Sequence, residues 1–349
     1  MLPLSDFDLS TLSDELLSHG YKSSHAIPIL RRFYQSAGAF TPDGLGLGKS
    51  LLAELESGPL RQSRVLTRHT SPDGTVKLLV GFNDGAAVEA VLMPWYHAGR
   101  AAGCVSSQVG CAMGCDFCAS TKSGLKRSLT AGEIVEQYLW LRADAAAQDR
   151  RLTSLVFMGM GEPMQNLDEV IRSIQRLGEP NTAGLGRRHI TVSTVGIVPG
   201  IQRLASSGLG VHLAVSLHAP DDATRSRLVP MNRRFKVADI LTAARDYQDV
   251  TGQIVTIEYC VLADVNDSDE QAHELARLMN GFRAHVNLIP YNWIGSGLSG
   301  AIYRRPSQER LDAFLGILRD AGTVAHCRKT RGDDVAAACG QLAVLSEKI

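Results

Sequence analysis

Apolar residues in the first part of the chain recur at intervals of three and four: Leu9, Leu12 and Leu16, then Ile27, Leu30 and Tyr34. That spacing places them on one face of an α-helix. Glycine-rich breaks such as 44–48 separate the segments, so a small helical bundle is predicted over 9–55. Ser71-Pro72-Asp73-Gly74 is a turn signal between two extended segments, 64–69 and 75–81, and 87–93 supplies a third strand. Residues 1–94 are therefore expected to form an accessory domain, a helical bundle plus a small β unit, ending near Pro94.

Beyond it, strand-like segments at 155–158, 189–194, 211–217, 254–262, 285–290 and 324–329 alternate with helix-like ones. This is the βα pattern of a parallel α/β sheet or barrel, expected over residues 95–349. Thr130 followed by Glu133 reads as a capping box opening one helix. Val237, Ile240, Leu241, Ala244 and Tyr247 make the apolar face of another. In such an architecture the loops after the strands' C-terminal ends build the active site. The stretch Gly-Ser-Gly-Leu-Ser-Gly at 295–300 reads as a flexible rim, and no internal repeat is evident.

Composition narrows the class. The 349 residues are 44% hydrophobic and 21% charged, which is ordinary for a globular protein. No apolar run approaches a membrane span, and acidic Asp6 and Asp8 near the start replace the basic region of a signal peptide. A cytoplasmic protein is expected. Lys plus Arg and Asp plus Glu are both 36, so whole-chain charge does not drive nucleic-acid binding. Local basic clusters remain as candidates for phosphate contact: Arg225, Arg227, Arg233, Arg234 and Lys236; Lys122, Lys126 and Arg127; Arg187 and Arg188. Seven cysteines in a chain without a secretory signal point to metal or redox chemistry before disulfides.

The cysteines carry the strongest signal. Cys111, Cys115 and Cys118 fall within one loop, and Gly110 and Gly114 let the backbone curl so that the thiolates converge. Three ligands suit a four-iron cluster with one iron left open to chelate S-adenosylmethionine. The alternative is zinc, but a structural zinc site takes four protein ligands with paired Cys-x-x-Cys spacing. Met158-Gly159-Met160-Gly161-Glu162-Pro163 follows a predicted strand. There the glycines allow a ligand close to the backbone, and Glu162 can accept from an ammonium group. Cys260 and Cys327 sit in apolar strand patterns and read as core thiols.

At this point a resemblance becomes specific. The runs Cys104 to Cys111, Gly159 to Pro163, Ser216 to Pro220, Asn287 to Pro290 and Arg331 to Leu342 resemble the RlmN/Cfr family of radical methyltransferases acting on RNA adenosine. The likeness extends from about Ser71 to the C-terminus and weakens over the N-terminal bundle. It implies a partial (β/α) barrel of the radical SAM type, a [4Fe-4S] cluster, and two S-adenosylmethionine molecules per turnover. The implied partners are 23S rRNA, possibly also tRNA, and an electron donor such as flavodoxin or ferredoxin; a monomer and no membrane are expected.

The resemblance also implies a chemistry. Adenine carbon 2 is electron-poor and cannot attack an electrophilic methyl directly, so a radical route is needed. By analogy Cys339 takes a methyl group, a 5'-deoxyadenosyl radical removes hydrogen from it, and the methylene radical adds to the ring. Cys104 then attacks the sulfur of Cys339 and forms a disulfide as methyladenosine leaves. Arg328, Lys329 and Arg331 are placed to favour a Cys339 thiolate if they fold toward it. Glu89 matches the general base that removes the ring proton, although two extra residues between Glu89 and Cys104 depart from the family. For S-adenosylmethionine the pattern falls on Gly161, Glu162, Ser193, Ser216, Leu217, His218 and Asn292. Pro163 fits the carbon 2 branch, since the carbon 8 branch tends to carry Ala there. Carbon 8 methylation, a radical enzyme acting on a peptide or small molecule, and an electron carrier without substrate are the competing readings.

Overall fold

A computed structural model describes residues 3–343 except 43, 59 and 96. The strands are β1 (Ser63–Thr70), β2 (Val76–Phe82), β3 (Ala87–Pro94), β4 (Arg100–Cys104), β5 (Gln108–Gly110), β6 (Leu125–Ser128), β7 (Arg151–Phe157), β8 (Ile190–Thr194), β9 (His212–Ser216), β10 (Val255–Val261), β11 (Ala284–Pro290) and β12 (Val324–Cys327). Ten of them form one sheet in the order β1-β2-β3-β4-β7-β8-β9-β10-β11-β12. From β4 to β12 every pairing is parallel, and β1 to β4 pair antiparallel. The sheet is open, as expected of a partial barrel.

The helices are α1 (Leu9–Ser18), α2 (Ala26–Gln35), α3 (Lys49–Ser57), α4 (Ala131–Ala147), α5 (Leu167–Gly178), α6 (Val198–Ser206), α7 (Asp222–Leu228), α8 (Val237–Thr251), α9 (Asp269–Met279) and α10 (Gln308–Asp320). From α4 onward they supply the crossovers that parallel strands require. The helix α4 opens on the predicted box: Glu133 N–H donates to Thr130 Oγ1 at 3.1 Å and Thr130 N–H to Glu133 Oε2 at 2.9 Å. The apolar face of α8 is buried at all five expected positions. In α2 the buried stripe runs through Ala26, Ile29, Leu30, Phe33 and Tyr34, while Ile27, expected on it, is 38% exposed.

The boundary expected near Pro94 falls inside the sheet. Val91 to Pro94 on β3 pair with Cys104 to Ala101 on β4, so the small β unit extends the barrel sheet edge-on. The helical bundle is also joined to the barrel. Ser5 Oγ donates to Glu136 Oε1 of α4 at 2.6 Å and Arg176 Nη1 of α5 to the Ser5 carbonyl at 2.9 Å. One hydrophobic core runs through both parts. Among the described residues no helix is long and apolar enough to cross a membrane.

Candidate active site

The three cysteines lie where the loop after β5 turns back beneath the barrel mouth. Gly110 has φ +76, and a Cβ there would stand 1.8 Å from the Gly124 carbonyl oxygen, so only glycine admits the turn. Thr121 Oγ1 donates to the carbonyls of Cys115 and Cys118 at 3.2 and 2.9 Å. Asp116 fastens the loop to the rim: Ser299 N–H and Oγ donate to it at 2.7 and 2.6 Å, and Tyr303 Oη adds a third bond. The 295–300 stretch, expected to be a flexible rim, is thus clamped onto the cysteine loop.

Burial pushes the Cys111 thiol up to about 12 and raises Cys115 and Cys118 as well. Such thiols ionise when a metal takes them as ligands. In a four-iron cluster each thiolate binds a different iron and one iron stays open, whereas a structural zinc takes four protein ligands. A set of three thiolates fits the cluster.

Cys111, Cys115 and Cys118 line a cavity together with Gly161, Glu162, Ser193, Ser216, His218 and Cys339. Glu162 accepts from Val195 N–H through Oε2 at 2.9 Å and from Met164 N–H through Oε1 at 3.0 Å. Burial pushes its carboxyl up to about 7, against those bonds. An ammonium group there would return it to the carboxylate. His218 has φ +61, and its Nδ1 accepts from Cys260 N–H at 2.9 Å. Burial first, and Arg225 second, lower it to about 3, so the ring is neutral with its proton on Nε2.

Two expected S-adenosylmethionine contacts lie outside the cavity lining. Leu217 is fully buried, and its carbonyl accepts from Arg225. Asn292 instead supports the Cys339 loop, donating through Nδ2 to the Cys339 carbonyl at 3.1 Å. Conversely Cys260, read as a core thiol, is buried but lines the cavity.

Cys339 is exposed on a loop held from several sides. Ser71 Oγ donates to Asp334 Oδ1 at 2.7 Å, Lys77 Nζ to the Ala336 carbonyl at 3.3 Å, and Ala119 N–H to the Gly340 carbonyl at 2.7 Å. Of the three cations expected to favour its thiolate, Arg328 turns inward and pairs with buried Glu258 at 3.6 Å.

Cys104 ends β4 directly opposite Val91. Burial, with Cys339 second, pushes its thiol up to about 12. Glu89 is two residues from Val91, so Glu89 and Cys104 share one face of the sheet. The β3–β4 connection lies beyond the Pro94 and Ala101 pair. The register between Glu89 and Cys104 does not depend on that connection's length. Glu89 is buried: Lys77 Nζ lies 3.0 Å from Oε1, and Ala343 N–H donates to Oε2 at 2.9 Å. Burial raises its carboxyl while Lys77 opposes the rise.

The profile of the Radical SAM superfamily matches residues 105–276. A probable dual-specificity RNA methyltransferase RlmN 1 of Opitutus terrae is 50% identical over 343 residues, 97% of this chain and 96% of that protein. The chain belongs to the RlmN family. A dual-specificity RNA methyltransferase RlmN of Syntrophobacter fumaroxidans is 40% identical, covering 97% of both chains. The crystal structure of a radical SAM methyltransferase from Sphaerobacter thermophilus superposes with a TM-score of 0.92 at 44% identity, over 98% of this chain and 99% of that one. RlmN enzymes are radical SAM proteins, so a [4Fe-4S] cluster and S-adenosylmethionine are the cofactors, and the likeness reaches through the N-terminal bundle as well.

The expected basic clusters survive only in part. Arg225 is fully buried and touches no solvent. Arg127 is engaged by Asp84 at 2.6 Å and Glu133 at 2.7 Å. Arg227, Arg233, Arg234, Lys236, Lys122, Lys126, Arg187 and Arg188 are exposed. Sequence reasoning missed Lys77 and Asp116, whose roles depend on partners far along the chain. It also missed Trp293, which is 70% exposed and adjoins Asn292.

Proposed function

We propose that this enzyme methylates carbon 2 of adenosine in RNA, with 23S rRNA and tRNA as the substrates its relatives' dual-specificity names suggest. The observation that carries the reading is the grouping of Cys339, Cys104 and Glu89. An exposed thiol faces the cysteine-lined cavity, a buried thiol lies near it, and a buried carboxylate shares the second thiol's sheet face.

Cys111, Cys115 and Cys118 would hold the cluster, with Glu162, Ser193 and Ser216 around S-adenosylmethionine. Together these cofactors supply one-electron cleavage of a carbon-sulfur bond and a hydrogen-abstracting radical. Cys339 carries the methyl group to the base, Glu89 takes the ring proton, and Cys104 displaces Cys339 from the adduct. Asn292 holds the Cys339 backbone, and the exposed ring of Trp293 offers a stacking face to a splayed-out base. The exposed arginines and lysines give phosphate contacts.

The test is incubation of reconstituted enzyme, reductant and S-adenosylmethionine with protein-free 23S rRNA and with tRNA, followed by nucleoside mass analysis. The expected product is 2-methyladenosine. Methylation at carbon 8, or of neither RNA, would overturn the assignment.

A further inference from the structure

Arg225 on α7 has no exposed surface, and its guanidinium is surrounded by neutral acceptors. Nε donates to the Leu217 carbonyl at 2.9 Å and Nη1 to Asn232 Oδ1 at 3.0 Å. Nη2 donates to the carbonyls of Val195 at 2.6 Å and Ser216 at 3.2 Å. These bonds give each guanidinium nitrogen a neutral acceptor, and a buried charge with no opposite charge in contact is costly. The Asp222 carboxylate acts on it from a distance, with Asn232 between them, whose Nδ2 donates to Asp222 Oδ1 at 3.0 Å.

The cavity wall lies between Arg225 and the cysteine site. Val195 and Ser216, which Arg225 holds by their carbonyls, line the cavity beside the three cysteines. The segment carrying Arg225 is clamped to the cysteine loop on both sides of Cys115. Asp116 N–H donates to the Leu228 carbonyl at 2.9 Å, and Pro230 packs against Gly114, 3.5 Å from where a Cβ would stand.

We propose that Arg225 is the fixed, buried counter-charge of the iron-sulfur site, offsetting the three thiolates and favouring uptake of an electron from a one-electron reductant. The inference rests on the family's cluster and not on the choice of RNA. Arg225 touches no reacting atom; it acts through its field across a wall of low dielectric, where a charge reaches further than in water. Three thiolates make the site anionic, and each electron added deepens that charge. A cation held at a constant distance lowers the free energy of the reduced state more than that of the oxidised one. Reduction potentials of such clusters respond to net charge and burial in this way.

The test is a dithionite titration of reconstituted holoenzyme, without S-adenosylmethionine or RNA, read by electron paramagnetic resonance of the reduced cluster. Arg225→Gln removes the charge and should shift the midpoint to a more negative potential. Arg225→Lys keeps the charge but loses the fork, so it should titrate near wild type despite lower thermal stability. Since Arg225→Gln also disturbs the fold, Arg225→Lys serves as the second arm, because it loses most of the same carbonyl bonds while keeping the charge. Equal midpoints in the two variants, or equal cluster loss from both, would assign Arg225 to carbonyl capping alone and overturn the proposal.

Discussion

The side chain of Asn292 bridges the two ends of the loop that carries Cys339. Its Nδ2 donates to the Cys339 carbonyl at 3.1 Å, and its Oδ1 accepts from Thr330 Oγ1 at 3.3 Å. Each such bond contributes about 1 kcal/mol. Asn292→Ala removes both and should therefore loosen the loop and slow methylation by up to about thirtyfold without changing iron content. Faster amide exchange at 336–341, with the barrel strands unchanged, is the accompanying signature. Full activity with unaltered exchange would show that other bonds position Cys339 alone.

Much of this site was legible in the sequence because its chemistry is local. Cys111, Cys115 and Cys118 share one loop, and Gly161 and Glu162 follow one strand. Period-two patterns likewise located β1, β2, β3 and the strands from β7 onward to within a few residues, while β4, β5 and β6 received no bounds. What escaped was every relationship set by pairing across the sheet. The charge run around Arg225 looks the same whether its members face solvent or a cavity wall; only the turn of α7 against the cysteine loop decides. Lys77 became meaningful only when the β2–β3 register set it beside Glu89. The register that sets Glu89 and Cys104 on one face likewise appears only once β3 pairs with β4.

Removal of any one of Cys111, Cys115 and Cys118 should abolish the cluster. Wild-type protein reconstituted anaerobically is expected to hold about four irons per chain, and Cys111→Ala, Cys115→Ala and Cys118→Ala close to none. A colourless wild-type protein with a single zinc would rule out the radical chemistry.

Glu89 must be a carboxylate to accept the ring proton, so the acid limb of turnover follows its pKa. Burial raises that pKa and Lys77 opposes the rise. Lys77→Met removes the opposing cation and should move the acid limb to higher pH. Glu89→Ala should slow release of methylated RNA while S-adenosylmethionine cleavage continues. An unmoved limb in Lys77→Met would place the controlling group elsewhere.

Glu162 makes the stability of the ligand-free protein depend on pH. Its folded-state pKa of about 7 exceeds the ordinary 4.5, so the folded chain binds the proton more tightly than the unfolded one. Stability then falls as pH rises from 4.5 toward 7, by an amount on the order of 3 kcal/mol for this group. Denaturant melts of apoprotein across this range should show the decline, and Glu162→Gln should flatten it. Parallel curves for wild type and variant would contradict a buried, protonated Glu162.

The order of the two cysteines is the most discriminating consequence of the proposed reaction. Cys339 carries the methyl and so forms the bond to RNA, and Cys104 breaks that bond by attacking the Cys339 sulfur. Cys104→Ala should still take up the methyl group and still add to the base, but no thiol remains to displace Cys339. A covalent protein-RNA species should accumulate in cells making this variant, visible as an RNase-sensitive shift on a denaturing gel. Cys339→Ala should give no such species. The double variant should match Cys339→Ala, because the carrier acts before the resolver. Cys104 is poorly ionised in the resting protein, its thiol pushed up to about 12 by burial and by Cys339. Full methylation by Cys104→Ala with no trapped RNA would exclude the methyl-cysteine route even if the cluster and S-adenosylmethionine cleavage were intact.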